Sequence, residues 1–170
     1  MPEQNQKHII KFLAASLSFF FVGSMQGVAQ LIPPVRAWLD SIGSPHAFPG
    51  HLIDPLAHAH INLIGGVMFL VMAVTYYLIP ILTGKAVWSK NLMNFSFWGT
   101  ATGVICFYST LMIFGAWMGE LMLANDPKFI EVKALYGPIV AISATIMGLG
   151  LWSFLLNGLM SLKQAYPKSS

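Results

Sequence analysis

Residues 54–80 read DPLAHAHINLIGGVMFLVMAVTYYLIP. After Asp54 this stretch contains no charged side chain, and it is long enough to cross roughly 30 Å of hydrocarbon, which takes about 20 helical residues. Pro55 suits a first helical turn. Three further stretches behave alike: Phe12 to Ile32, ending at Pro33-Pro34; Phe95 to Leu123, free of charge until Glu120; and Leu135 to Leu162. All four are continuous rather than alternating, which excludes β-barrel strands. The first apolar run is 21 residues long. A signal peptide has an apolar region of only about 7–15 residues, so this run reads as a retained helix.

Composition agrees. Of 170 residues, 56% are apolar and 9% charged, whereas about 25% of a soluble domain is charged. A soluble enzyme, a disordered tail and a nucleic-acid module are excluded together. The net charge of +3 reads as an orientation signal rather than a polyanion site. Lys7, Lys11, Lys85, Lys90, Lys163 and Lys168 fall on one side of the spans. Arg36, Lys128 and Lys133 fall on the other, with Asp40, Asp54, Glu120, Asp126 and Glu131. The expectation is an all-α, integral membrane four-helix bundle with both termini cytoplasmic. Residues 1–170 form a single transmembrane domain, with helices at about 10–32, 54–82, 93–123 and 134–162 and an outer cap over 33–53. Asn125-Asp126-Pro127 reads as a turn. The lone Cys106 excludes an internal disulfide, and no C-x-x-C-H run is present to attach a c-type haem.

Four of the five histidines, His46, His51, His58 and His60, fall within fifteen residues. His58 and His60 lie just inside the second span, where an ionisable side chain is costly and points to function. At about 100° per residue, positions i and i+2 point roughly 200° apart. Such a pair cannot share one metal ion as an i, i+4 pair can. Each can instead hold a different large flat cofactor, and axial imidazole is a usual way of holding haem iron. His60 is about 20 residues, or roughly 30 Å, from Pro80. Bound iron is therefore expected nearer the outer face, with haem propionates reaching Arg36, His51 and Asp54.

Several other residues carry weaker signals. Gly23/Gly27, Gly99/Gly103 and Gly115/Gly119 have the spacing that allows close helix approach in lipid. Gly65-Gly66 reads equally as packing or as clearance for a cofactor. Gln26 is expected to donate to a neighbour or a haem edge, Glu120 to be a solvated helix-end carboxylate, and Cys106 to be a small apolar filler. Trp38, Trp88 and Tyr136 read as interfacial anchors.

Taken in order, Gly23-Ser24-Met25-Gln26-Gly27, His51-Leu52-Ile53-Asp54, His58-Ala59-His60 and Tyr76-Tyr77-Leu78-Ile79-Pro80 resemble one continuous region of a known family. It is the C-terminal part of the catalytic subunit of haem-copper oxidases. The likeness is greatest to the C-family oxidases with b- and c-type haems and to their nitric-oxide reductase relatives. The third and fourth spans are similar to the two helices that follow there. The resemblance implies that His58 ligates the high-spin haem and His60 the low-spin haem, with His51 and Asp54 beside the propionates. It further implies a multi-pass protein of a prokaryotic plasma (inner) membrane.

The departures are as informative. The resemblance covers only the last four helices of that subunit, without its copper (or non-haem iron) histidines and without the second low-spin ligand. The expected function is a haem b-binding subunit relaying electrons near the outer membrane face. One or two haems are expected per chain or shared between chains, with no copper site within this chain. Missing ligands would come from a larger membrane subunit or a second copy, and electrons would pass to or from an external cytochrome c or a quinone. The alternatives are a split oxygen or nitric-oxide reductase, completed by another chain, and a haem-carrier, assembly or structural subunit.

Overall fold

The computed structural model describes residues 3–164, and Lys168 of the orientation set lies outside them. Five helices follow in order: α1 (Glu3–Leu31), α2 (Pro33–Ser41), α3 (Leu52–Thr83), α4 (Lys90–Leu123) and α5 (Lys128–Lys163). No strand occurs among the described residues. Four of the helices, all but α2, are long and apolar enough to cross a membrane.

The long helices extend past their apolar runs. α4 begins at Lys90 and carries Asn91 and Asn94 in its first turns; α5 begins at Lys128 and carries Glu131 and Lys133. Apolar counting finds only the stretch that wants hydrocarbon, while backbone pairing continues into the polar region. Local chemistry sets the ends. Ser89 caps α4, its hydroxyl accepting from the Leu92 amide at 3.2 Å. α3 stops at Gly84, whose φ of 66° is the left-handed conformation that suits a residue without Cβ. At the turn before α5, Asp126 Oδ1 accepts from the Lys128 amide at 2.9 Å.

The cap contains a helix of its own. Pro33 and Pro34 stop α1 and open α2, where a missing amide hydrogen costs nothing. From Ile42 to Gly50 the chain makes a compact set of turns, with peptide bonds before Pro45 and Pro49 in the cis form. Phe48 from these turns packs against Phe129 and Tyr136 of α5, at centroid distances of 6.2 and 6.3 Å. Trp38 donates through Nε1 to Glu120 at the end of α4, 2.7 Å away. The cap is therefore tied to both later helices, and Glu120 and Trp38 serve each other.

α3 is the central element, with α1 along one flank and α4 along the other; α5 pairs chiefly with α4. In lipid such contacts depend on close packing, for which small residues make room. The α4–α5 seam is backbone against backbone. A methyl on Gly99 would stand 3.1 Å from the Gly150 Cα, and one on Gly103 would overlap the backbone of Met147. The α1–α3 seam instead fills its glycines with side chains. Gly65 and Gly66 receive the Phe19 and Phe20 rings, which resolves their role in favour of packing. Further along, Phe12 is surrounded by Phe69, Tyr76 and Phe97 at 5.1–6.0 Å between centroids. Cys106 faces outward on α4 rather than filling the core.

At the end of the bundle away from the cap, one asparagine holds a loop. The fully buried Asn157 of α5 accepts from the Ser89 amide (3.0 Å) and donates to the Ser89 carbonyl (2.9 Å). It also reaches the Tyr76 hydroxyl at 3.3 Å, and Tyr76 bonds Ser96 at 3.2 Å.

Candidate functional site

The candidate residues gather where α3 begins. Asp54 has an extended backbone (φ −135°, ψ 111°), and Pro55 follows it without an amide hydrogen. Together they break the ordinary pairing and leave the Ile53 carbonyl to other donors. Gln26 and Gln30 of α1 supply these from Nε2, at 3.0 and 3.4 Å. The Gln26 Oε1 is buried and has no hydrogen-bond partner among the described residues.

Beyond the break, His58–His60 is a short α segment between two π-helical ones, Leu52–Ala57 and Ile61–Val67. π turns are rare and occur often at functional sites. The two histidines leave α3 in different directions. His58 lies against α1, where a methyl on Gly27 would stand 2.8 Å from its Cε1. Asn62, one turn on, donates to the His58 carbonyl at 2.8 Å and occupies the space over Gly23. His60 lies against α4, its ring 4.8 Å from that of Phe107. Both are half-buried.

These surroundings fit axial ligation. His60 Nδ1 is 2.8 Å from the Leu56 carbonyl, which can only accept, so Nδ1 carries the hydrogen and Nε2 is the ring nitrogen left for a metal. Gly27 makes room for the His58 ring itself, which any larger residue there would displace. One imidazole stands on each flank of α3, so the two do not converge on one point. No cluster of three or more histidine, cysteine or acidic side chains occurs among the described residues, and an axial imidazole does not require one.

Above the histidines, Arg36 of α2 joins the cap to the start of α3. Its Nη1 donates to Asp54 Oδ2 at 2.7 Å, and its Nε and Nη2 both donate to Asp40 Oδ1, at 2.9 and 2.6 Å. Ser44 completes the group, its hydroxyl 2.9 Å from Asp54 Oδ2 and 3.0 Å from Arg36 Nη2. The hydrogen bonds of Asp40 and then Asp54 hold the guanidinium pKa above its ordinary value. His51 is held separately, its Nδ1 donating to the Pro45 carbonyl at 2.7 Å.

Of the residues singled out from sequence, Arg36 and Asp54 are thus brought together, and His58 and His60 stand on opposite flanks. His51 is not joined to the ion pair. Asp40, Ser44, Asn62 and Phe107 were not anticipated. The i, i+4 spacings of Arg36–Asp40 and His58–Asn62 could have shown two of them. Ser44 and Phe107 approach only through the tertiary fold, and nothing local marks them.

Four membrane-length helices, one of them π-interrupted and carrying a histidine pair, define a class, the polytopic membrane proteins. The family model for cytochrome c and quinol oxidase polypeptide I matches residues 4–149, and the chain belongs to that family, haem-copper oxidase subunit I. It is similar to the cytochrome c oxidase subunit 1 homolog, bacteroid, of Bradyrhizobium diazoefficiens, at 24% identity over 85% of this chain and 28% of that protein. Similar too are the Cbb3-type cytochrome c oxidase subunit CcoN1 of Stutzerimonas stutzeri, at 23% identity over 85% and 32%, and cytochrome c oxidase subunit 1 of Rhodobacter capsulatus, at 22% over 89% and 27%. The chain spans less than a third of the length of these relatives. It is a multi-pass membrane protein of an oxidoreductase family.

Proposed function

We propose that this chain is a haem b-binding membrane subunit that relays electrons near the outer membrane face. His60 and His58 each supply an axial imidazole on opposite flanks of α3, and Arg36, Asp54 and His51 lie toward the propionates. The opposite placement of the two rings, one against Gly27 and the other against Phe107, is the observation that carries the reading. Haem, when bound, supplies one-electron redox chemistry. The protein's part is to orient the imidazoles, exclude water with α1 and α4, and offset the propionate charge at the cap. The chain lies in a prokaryotic plasma membrane with both termini cytoplasmic. Its remaining ligands come from a larger membrane subunit or a second copy, and its redox partner is an external cytochrome c or a quinone.

The oxidase names of the relatives favour a second reading. Here the chain is one part of a split oxygen or nitric-oxide reductase, with copper or iron ligands on another chain.

Optical spectra of detergent-purified protein, oxidised, reduced and reduced with carbon monoxide, test both readings, with haem counted per chain. One six-coordinate haem unresponsive to carbon monoxide supports electron relay. A second haem that shifts with carbon monoxide favours the split reductase. Folded protein without haem, isolated with its partners retained, overturns both and leaves a structural subunit.

A further inference from the structure

At the end of the bundle away from the cap, α1 and α3 part to leave a notch. Ile9 and Leu13 of α1 face Ala73, Val74 and Tyr77 of α3 across a cavity of about 260 Å³. Leu13, Val74 and Tyr77 are 38%, 45% and 47% exposed, so the notch opens to the outside of the bundle. Toward the polar end, Ile9 is shared with a smaller recess lined by Ala86, Val87 and Lys90. The two form one descending track, with a cation and a loop at the rim and aliphatic side chains below.

Charge at this end is uncompensated. Apart from Glu3, every acidic residue of the chain lies toward the cap, and both ion pairs among the described residues are made by Arg36. Of the cations at the notch end, Lys11 is engaged by Asn94 and the Phe97 ring, and Lys85 by the Gln164 carbonyl. Lys90 is exposed and has no acidic partner among the described residues. The amides of Gly84, Lys85, Trp88 and Ser89 are bonded within the chain. Those of Ala86 and Val87 are not, which leaves two further donors beside Lys90.

A lipid tail gains nothing by leaving other tails for an apolar groove, since hydrocarbon is as apolar as leucine. The notch therefore supplies position, and the cation at its rim supplies preference. An occupant that uses both carries a negative charge just above an aliphatic chain. The cavity, at about 260 Å³, falls below the roughly 300–1,000 Å³ usual for larger ring-bearing ligands. That favours a single acyl chain over a quinone head. We propose that the notch is a binding site for an anionic phospholipid, its phosphate on Lys90 and the Ala86 and Val87 amides and one acyl chain between Leu13 and Val74. The site is independent of the haem reading and of which side of the membrane the termini face.

Native mass spectrometry of the full-length protein in neutral detergent tests the site, with phosphatidylglycerol and phosphatidylcholine of the same acyl chains as the two probes. The wild type is expected to retain phosphatidylglycerol about fivefold more tightly, the effect of one lysine on an anionic lipid. Lys90→Gln should bring the two lipids to equal retention. Lys128→Gln removes an exposed charge at the cap end and should leave the preference at the wild-type value. Leu13→Trp and Val74→Trp each fill the notch from an exposed position and should also erase the preference, with thermal unfolding as in the wild type. Should a tryptophan variant fail to fold, Lys90→Gln, at an exposed position, decides alone. A preference that survives Lys90→Gln overturns the phosphate seat. One that survives both folded tryptophan variants overturns the notch, since the lysine alone would then collect the anion. An equal loss in Lys128→Gln makes the effect one of net charge and overturns the site as well. A doubled chain mass that Leu13→Trp dissolves assigns the notch to a second copy, and a retained quinone assigns it to that ligand; either overturns the phospholipid.

Discussion

Gly27 and His58 share one space: the ring of His58 lies where the side chain of residue 27 would be, 2.8 Å from the position of a Cβ. Gly27→Ala is therefore expected to push His58 off its seat. Gly137, on α5, has nothing within 4 Å of its own Cβ position. Haem counted per chain should fall in Gly27→Ala and stay constant in Gly137→Ala. Under the proposed assignment the loss is confined to the species ligated by His58.

His60 is held by a backbone carbonyl, which mutation cannot remove, so the proposed ligand itself must be changed. His60→Ala should abolish the spectrum of the six-coordinate haem, and added imidazole should restore part of it. A His60→Ala protein with an unaltered spectrum would exclude His60 as a ligand. His58→Ala should leave the six-coordinate signal in place.

Asn157 pairs with both the amide and the carbonyl of Ser89 from a fully buried position. Asn157→Leu keeps the branched shape and removes both bonds. The expected cost is about 1–3 kcal/mol, the penalty for leaving buried polar groups unpaired. It would be read from the thermal or denaturant unfolding of detergent-solubilised protein. The haem spectrum should be unchanged, because this clamp lies at the far end of α3 from the histidines.

Gly103 faces the backbone of Met147, which has no rotamer with which to yield. Gly103→Ala should force α4 and α5 apart at a cost of about 1–3 kcal/mol, as overpacking does. The same unfolding assay reports it. Gly137→Ala, in the open, should be neutral or stabilising by about 0.5–1 kcal/mol.

The proposed orientation has its own test. In a Cys106→Ala background, a cysteine at Asn125 should react with a membrane-impermeant maleimide added to intact cells. A cysteine at Lys85 should react only after permeabilisation. The reverse pattern would turn the whole arrangement over.

The sequence made the four membrane-length helices legible because hydrocarbon demands long apolar runs, and composition alone reveals those. It also marked the His58/His60 pair, since charge-capable groups at such depth are rare. The α2 helix and the π turns were not legible. α2 is short, and its apolar residues Val35, Trp38 and Leu39 pack on surfaces brought up by distant segments. The first π segment, Leu52–Ala57, holds the Asp54-Pro55 break, where α1 glutamines take over the freed carbonyl. No local preference encodes the π turns. Likewise, the roles of Gly23 and Gly27 were readable as helix approach, but not that Asn62 and His58 would fill the gap.

The two glycine seams differ in kind, and the bundle is consequently uneven in its mechanics. Where α4 meets α5, main chain rests on main chain and sliding would collide rigid atoms. Where α1 meets α3, glycines receive rings and an amide, groups that can rotate out of the way. A strain applied to the bundle would therefore be absorbed at the α1 side first. His58, seated in that softer seam, would feel it before His60.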